Sequence, residues 1–147
     1  MGRLVSLPQF WLVVYVLAGL ILGRLIPIPL PHWLQVLGMV MVGAGILLMA
    51  LAARTMTRAQ TTFMPGQVPA HLVTDGPFRY SRNPIYLGDL LILSGFLLAI
   101  EAVPGLIMVP FFAWTLADRF IREEELRIEA EFGDAYRAYK EKVRRWI

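Results

Sequence analysis

The segment Trp33–Ala53 carries no charged residue. A helix of about 20 apolar residues crosses the hydrocarbon core of a bilayer, so this run predicts a membrane-spanning helix. Three more apolar segments follow the same pattern: Leu7–Ile26, Ile85–Val103 and the shorter Gly105–Ala117. With 57% hydrophobic and 17% charged residues, the whole chain has the balance of a membrane protein rather than a soluble one. The expected fold class is all-α and integral to the membrane, with about four transmembrane helices in a single domain of residues 1–147.

Prolines punctuate these segments. Pro27, Pro29 and Pro31 form the turn between the first two. The first segment has a basic start at Arg3 but no small-residue cleavage site, so it reads as a helix rather than a signal peptide. Pro104 suits the first turn of a helix, where its missing donor is harmless. Asp118–Glu131 contains no Gly or Pro and favours helix. The fourth segment therefore predicts one long helix that emerges from the membrane near Asp118, kinked at Pro110. A re-entrant half-helix is the alternative.

Loop charges set orientation. Arg3, Arg54, Arg58, Arg79, Arg82 and the basic C-terminus fall on one side, and Arg24 and Glu101 on the other. Both termini and the loop before the third helix are thus expected on the cytoplasmic side of a multi-pass membrane protein. Residues 1–66 would form a helix pair and linker, and 67–147 a functional core.

Chemistry concentrates in that core. There is no cysteine, and His32 and His71 are far apart, so a metal site is not expected. The net charge of +3 is modest, and no nucleic-acid partner is expected. Residues 70–88 hold two turn signals, Gly76-Pro77 and Asn83-Pro84. Pro84 should open a helix with Asn83 as its cap. The free amides of that helix attract anionic groups, and Arg79 and Arg82 add cationic donors. Phe78, Tyr80 and Tyr86 offer rings for stacking against a base or a sulfonium. The same composition also fits a positive-inside loop with an aromatic belt.

The run Glu123-Glu124-Glu125 would stand roughly 10 Å beyond the apolar boundary, at 1.5 Å per residue. It reads either as a solvated face or as an acceptor for ribose hydroxyls. Beyond the break at Phe132-Gly133, Tyr136, Tyr139 and Val143 recur at helical spacing. They predict an amphipathic helix that lies on the membrane or closes over the site, with Lys140, Lys142, Arg144 and Arg145 near anionic headgroups.

Taken in order, Leu72-Val73-Thr74-x-Gly76-Pro77-Phe78-Arg79-Tyr80, Arg82-Asn83-Pro84-x-Tyr86-x-Gly88, Glu124-Glu125 and Phe132-Gly133-x-x-Tyr136-x-x-Tyr139 resemble a known pattern. It is that of the bacterial members of the isoprenylcysteine carboxyl methyltransferase family, which is related to the phospholipid methyltransferases. The resemblance covers roughly residues 68–146. It implies S-adenosylmethionine as cofactor and a lipophilic methyl acceptor, in contact with membrane lipids. Carboxylate O-methylation leads, phospholipid N-methylation is the rival, and a non-catalytic protein that kept the fold is a third reading.

Residue by residue, the resemblance places Ala70, His71, Leu72 and Val73 along the cofactor through their backbone, with Phe78 lining it. Asn83, Pro84, Ile85 and Tyr86 hold the methionine end, and Glu124 contacts the nucleoside. Arg82, Arg119 and Tyr86 are the candidates for contact with the reacting groups. Three positions depart from the pattern. Asn83 replaces a frequent His, Ala70 stands where prenylcysteine-modifying members have His, and Phe120 stands where they have an arginine, flanked here by Arg119 and Arg122.

Overall fold

The computed structural model describes residues 7–61 and 70–147, and every regular element among them is helical. Arg3 and the boundary expected near residue 66 lie outside the described residues. Helix α1 spans Pro8–Leu25 and α2 spans His32–Arg58. Proline opens α1 at its first position, and the proline-rich stretch after Leu25 separates the pair. Helix α2 runs past the apolar segment through Arg58, because Arg54 and Arg58 suit the negative end of the helix dipole.

Both helices are long and apolar enough to cross a bilayer. They do not form the core of a soluble protein, because their apolar side chains point outward. Val13, Leu17 and Ile21 of α1, and Val40, Ile46 and Leu47 of α2, are each more than half exposed. Bilayer lipid is the solvent such faces require.

Helix α3 spans Pro84–Ala99. The expected third segment continued to Val103, but the helix stops earlier. Glu101 adopts a left-handed backbone (φ +61°). Ala102 N–H then donates to the Leu97 carbonyl (2.8 Å), and Glu101 N–H to the Leu98 carbonyl (3.1 Å), closing the helix end. Winding resumes as a 3₁₀ turn at Val103–Ile107, becomes α4 at Met108–Leu116, loosens to a π turn at Ala117–Ile121, and continues as α5 at Arg122–Phe132. Met108, Ala117 and Arg122 all keep right-handed helical angles, so the rod is continuous across the junctions. The long fourth helix expected from Pro104 thus exists with three kinds of winding. Pro110 lies in the first turn of α4, just after the 3₁₀ turn. Helices α3 and α4 are each shorter than a bilayer is thick, so among the described residues α1 and α2 alone meet the length of a span and the expected count of four is not confirmed.

Glycines seat α2 against α3. A Cβ on Gly95 would stand 2.5 Å from the Gly38 carbonyl oxygen, and one on Gly45 would stand 2.7 Å from that of Gly88. Small residues let two membrane helices meet backbone to backbone. These contacts fix α2 relative to α3 along most of their length.

Two apolar clusters result. The larger buries Leu93 and Leu97 of α3 against Phe112 and Leu116 of α4 and Ile121 of the π turn, with Trp11, Tyr15 and Val16 of α1 packed around them. Asp89 is also fully buried, and neither of its carboxylate oxygens has a partner among the described residues. The smaller cluster forms under α6, Asp134–Lys142, where Tyr136, Tyr139 and Val143 pack on Leu72, Ile128 and Phe132. Of the two expected placements for this amphipathic helix, its apolar face turns inward onto the core.

Candidate functional site

A cavity of about 500 Å³ opens at the end of the bundle where α3 begins. Its walls come from both halves of the chain. The loop supplies His71, Leu72, Val73 and Phe78, and the start of α3 supplies Arg82, Asn83, Pro84, Ile85 and Tyr86. Glu124, Glu125 and Ile128 come from α5, and Tyr136 and Tyr139 from α6. Met49, Ala50, Ala53 and Met56 from α2, with Pro8 and Gln9 from α1, complete an apolar side.

The loop reaches this position through Gly76. Its backbone is left-handed (φ +57°), and a Cβ there would stand 2.8 Å from Thr55 Oγ1 of α2. Glycine is therefore required both for the turn and for the close approach. The 3₁₀ turn Gly76–Arg79 follows, and Tyr139 O–H donates to the Phe78 carbonyl (2.7 Å), tying the turn to α6.

At the polar side, Tyr86 O–H donates to Glu124 Oε1 at 2.6 Å. Burial pushes the Glu124 carboxyl above its ordinary value, a rise opposed by the Tyr86 hydrogen bond and by Arg127. The Tyr86 ring is buried and lies 6.3 Å from the Phe120 ring. The adjacent carboxylate behaves differently. Glu125 is 8% exposed and accepts from Arg82 Nη2 (2.9 Å), Arg145 Nη2 (2.6 Å) and Arg145 Nε (3.2 Å). Its hydrogen bonds raise the Arg145 pKa. Burial, with Glu125 next in weight, pushes Tyr136 up to about 12, and burial also raises Tyr139.

The sequence-predicted residues divide accordingly. His71, Leu72, Val73, Phe78, Arg82, Asn83, Pro84, Ile85, Tyr86 and Glu124 are brought together around the cavity. Ala70 is exposed and does not line it. Arg119 does not line it either, because its guanidinium lies over the Trp11 ring, 4.6 Å from the centroid.

Asn83 occupies the cap position of α3 but makes no side-chain cap bond. Its amide instead donates to the Arg145 carbonyl (3.1 Å), because the C-terminal tail passes close enough to offer an acceptor. Arg82 is at the cavity, yet its Nη atoms serve Glu125 and the Lys140 carbonyl (3.4 Å), and its buried Nε has no partner among the described residues.

Sequence reasoning missed the α1 and α2 wall and the separate role of Glu125. Met49, Ala53 and Met56 recur at helical spacing around Arg54 and before Arg58, and that face was the available signal.

An all-helical membrane protein whose cavity is lined by acidic, aromatic and apolar side chains together can accommodate a polar ligand beside a lipophilic one. Residues 33–135 match the phospholipid methyltransferase family, and the chain belongs to that family of membrane methyltransferases. An uncharacterized protein of Haemophilus influenzae is 40% identical over 63 residues, covering 43% of this chain and the whole of that protein. The protein-S-isoprenylcysteine O-methyltransferase of Schizosaccharomyces pombe is 31% identical over 72 residues, covering 49% of this chain and 30% of that protein. No solved structure matches the chain significantly.

Proposed function

We propose that this chain is an S-adenosylmethionine-dependent methyltransferase that works in the membrane on a lipophilic acceptor. The observation that carries this reading is the mixed lining of the cavity, in which Phe78, Arg82, Tyr86 and Glu124 stand together with the apolar Met49, Ala50, Ala53 and Met56. The polar residues fit the cofactor. The Glu124 carboxylate can accept ribose hydroxyls. The Phe78 ring offers a face to the base or the sulfonium. Arg82 Nε, buried and without a partner among the described residues, is a donor that a carboxylate satisfies. Bound there, the cofactor supplies a methyl group activated on a sulfonium. The chain's own work is to hold the acceptor in line with that methyl group and to keep water away. No nucleophilic side chain is needed.

The leading acceptor is a carboxylate on a lipophilic molecule, methylated on oxygen as the printed name of the fission-yeast relative describes. Such an acceptor needs no general base. A phospholipid amine is the second reading. It is supported by the family match and by Glu124, whose burial raises its affinity for the proton that an ammonium must lose. The distribution of Arg54, Arg58, Arg79 and Arg82 against Arg24 and Glu101 supports a cytoplasmic cavity.

Purified protein in lipid nanodiscs is incubated with methyl-labelled S-adenosylmethionine and a lipid extract. Label that mild base releases as volatile methanol identifies an ester and the first reading, whereas base-stable label in a lipid amine identifies the second. No transfer, together with no rise in melting temperature at millimolar S-adenosylhomocysteine, refutes the function.

A further inference from the structure

The two adjacent glutamates of α5 face different partners. Glu124 meets Tyr86 at the cavity, whereas both oxygens of Glu125 are taken by arginines from two other segments. One is Arg82, before α3, and the other is Arg145, in the C-terminal tail. The same two segments are stitched together by backbone. Arg82 N–H donates to the Arg144 carbonyl (3.0 Å), and Ser81 Oγ donates to the Arg145 carbonyl (3.3 Å). Helix α6 is slung between this junction and Gly133, a left-handed residue (φ +49°) where a Cβ would meet nothing within 4 Å among the described residues. Its Tyr136 and Tyr139 form one wall of the cavity. That wall starts at Gly133 and is held along its length by the Tyr139 bond to the Phe78 carbonyl and by Arg137 and Lys140 on Glu129, and the buried Glu125 carboxylate anchors the tail beyond its far end.

We propose that Glu125 is a positioning residue that pins the C-terminal tail to the loop before α3, holding α6 as a wall of the cofactor cavity. Release of this pin lets bound cofactor exchange. The proposal rests on the methyltransferase reading for the identity of the ligand, but not for the pin itself. A buried carboxylate shared by two arginines is strongly directional, and removing its charge leaves both guanidinium groups without their partner.

Two measurements on the full chain in nanodiscs test it. The first is limited trypsin cleavage after Lys142 and Arg144, sites common to all the variants, read by mass in the absence of ligand. The second is the dissociation rate of labelled S-adenosylhomocysteine. Glu125→Gln should speed tail cleavage about tenfold or more and speed dissociation by a similar factor, with KM for the cofactor rising more than kcat falls. Arg145→Gln, which acts from the more exposed side of the pin, should do the same. Glu124→Gln should weaken binding while tail cleavage stays at the wild-type rate. A purely structural Glu125 would lower the melting temperature and leave the dissociation rate where it was, and that result overturns the proposal. Tail cleavage at the wild-type rate in both Glu125→Gln and Arg145→Gln also overturns it. If wild type binds no S-adenosylhomocysteine, the functional reading fails, and tail cleavage alone still decides the pin.

Discussion

Replacing Tyr86 with Phe isolates one bond. The ring, buried and lying beside Phe120, is retained, and only the hydroxyl that donates to Glu124 Oε1 at 2.6 Å is lost. A hydrogen bond to a charged group is worth about 1.5–3 kcal/mol. Burial already raises the Glu124 carboxyl, and the tyrosine bond counters that rise, so without it the carboxylate binds a proton more readily still. Glu124 then presents less negative charge, and in a less fixed orientation, to any hydroxyl it should hold. If that orientation is what the ligand uses, affinity falls by the same free energy, roughly tenfold to a hundredfold at about 1.4 kcal/mol per decade. Titration calorimetry with S-adenosylhomocysteine reads this directly. Melting curves of the unliganded protein show whether the fold survives. A double-mutant cycle with Glu124→Gln supplies the control, and the two substitutions should be far from additive. Affinity within twofold of wild type in Tyr86→Phe, or additive effects in the cycle, would refute the coupling.

Three further outcomes are expected. Because burial raises the Glu124 pKa, its contribution to stability is full below the ordinary carboxylate range and is lost as pH rises through the raised value; the melting temperature of Glu124→Gln relative to wild type should therefore climb from pH 4 to pH 8, and a flat difference would mean the carboxylate is solvated. Asp89 is fully buried with both oxygens unpartnered among the described residues, so Asp89→Asn should melt no lower than wild type at pH 8; a drop of several degrees would reveal a cation paired with it in the folded protein. For topology, Tyr80 is 76% exposed whereas Ser81 is 2% exposed, so a cysteine at Tyr80 is the reporter, and in intact cells an impermeant reagent should label it far less than one at Ile28.

Much of the site was legible because its residues announce backbone geometry. Gly76-Pro77 and Asn83-Pro84 mark turns whatever packs around them, and the structure turns there. Helix α1 matched its apolar segment almost to the residue, since Pro8 opens it and a proline-rich stretch follows. What was not legible depends on contacts distant in sequence. The Asn83 amide looked like a cap, and only the arrival of the tail, 62 residues later, gave it a different acceptor. Glu125 could not be told from Glu124 by composition, because the difference lies in which neighbour each reaches. Glu101 closes α3 in a backbone region where glycine is the usual occupant, so no signal marked that end.

Arg119 was displaced for a different reason, and its cause bears on how such chains diverge. An α-helix continued from Leu116 would carry its buried stripe to positions 119, 120 and 123, three, four and seven residues on. The π turn at Ala117–Ile121 takes up an extra residue, so the buried stripe passes instead through Phe120, Ile121 and Glu125, leaving Arg119 exposed. The membrane half and the site half of the rod are therefore out of phase by one residue, as gears are offset by one tooth. Deleting a single amino acid here would rotate the whole glutamate face by roughly 100° at 3.6 residues per turn, while leaving every apolar span intact. Two chains of nearly identical sequence could thus share a bundle and turn different side chains toward the same cavity.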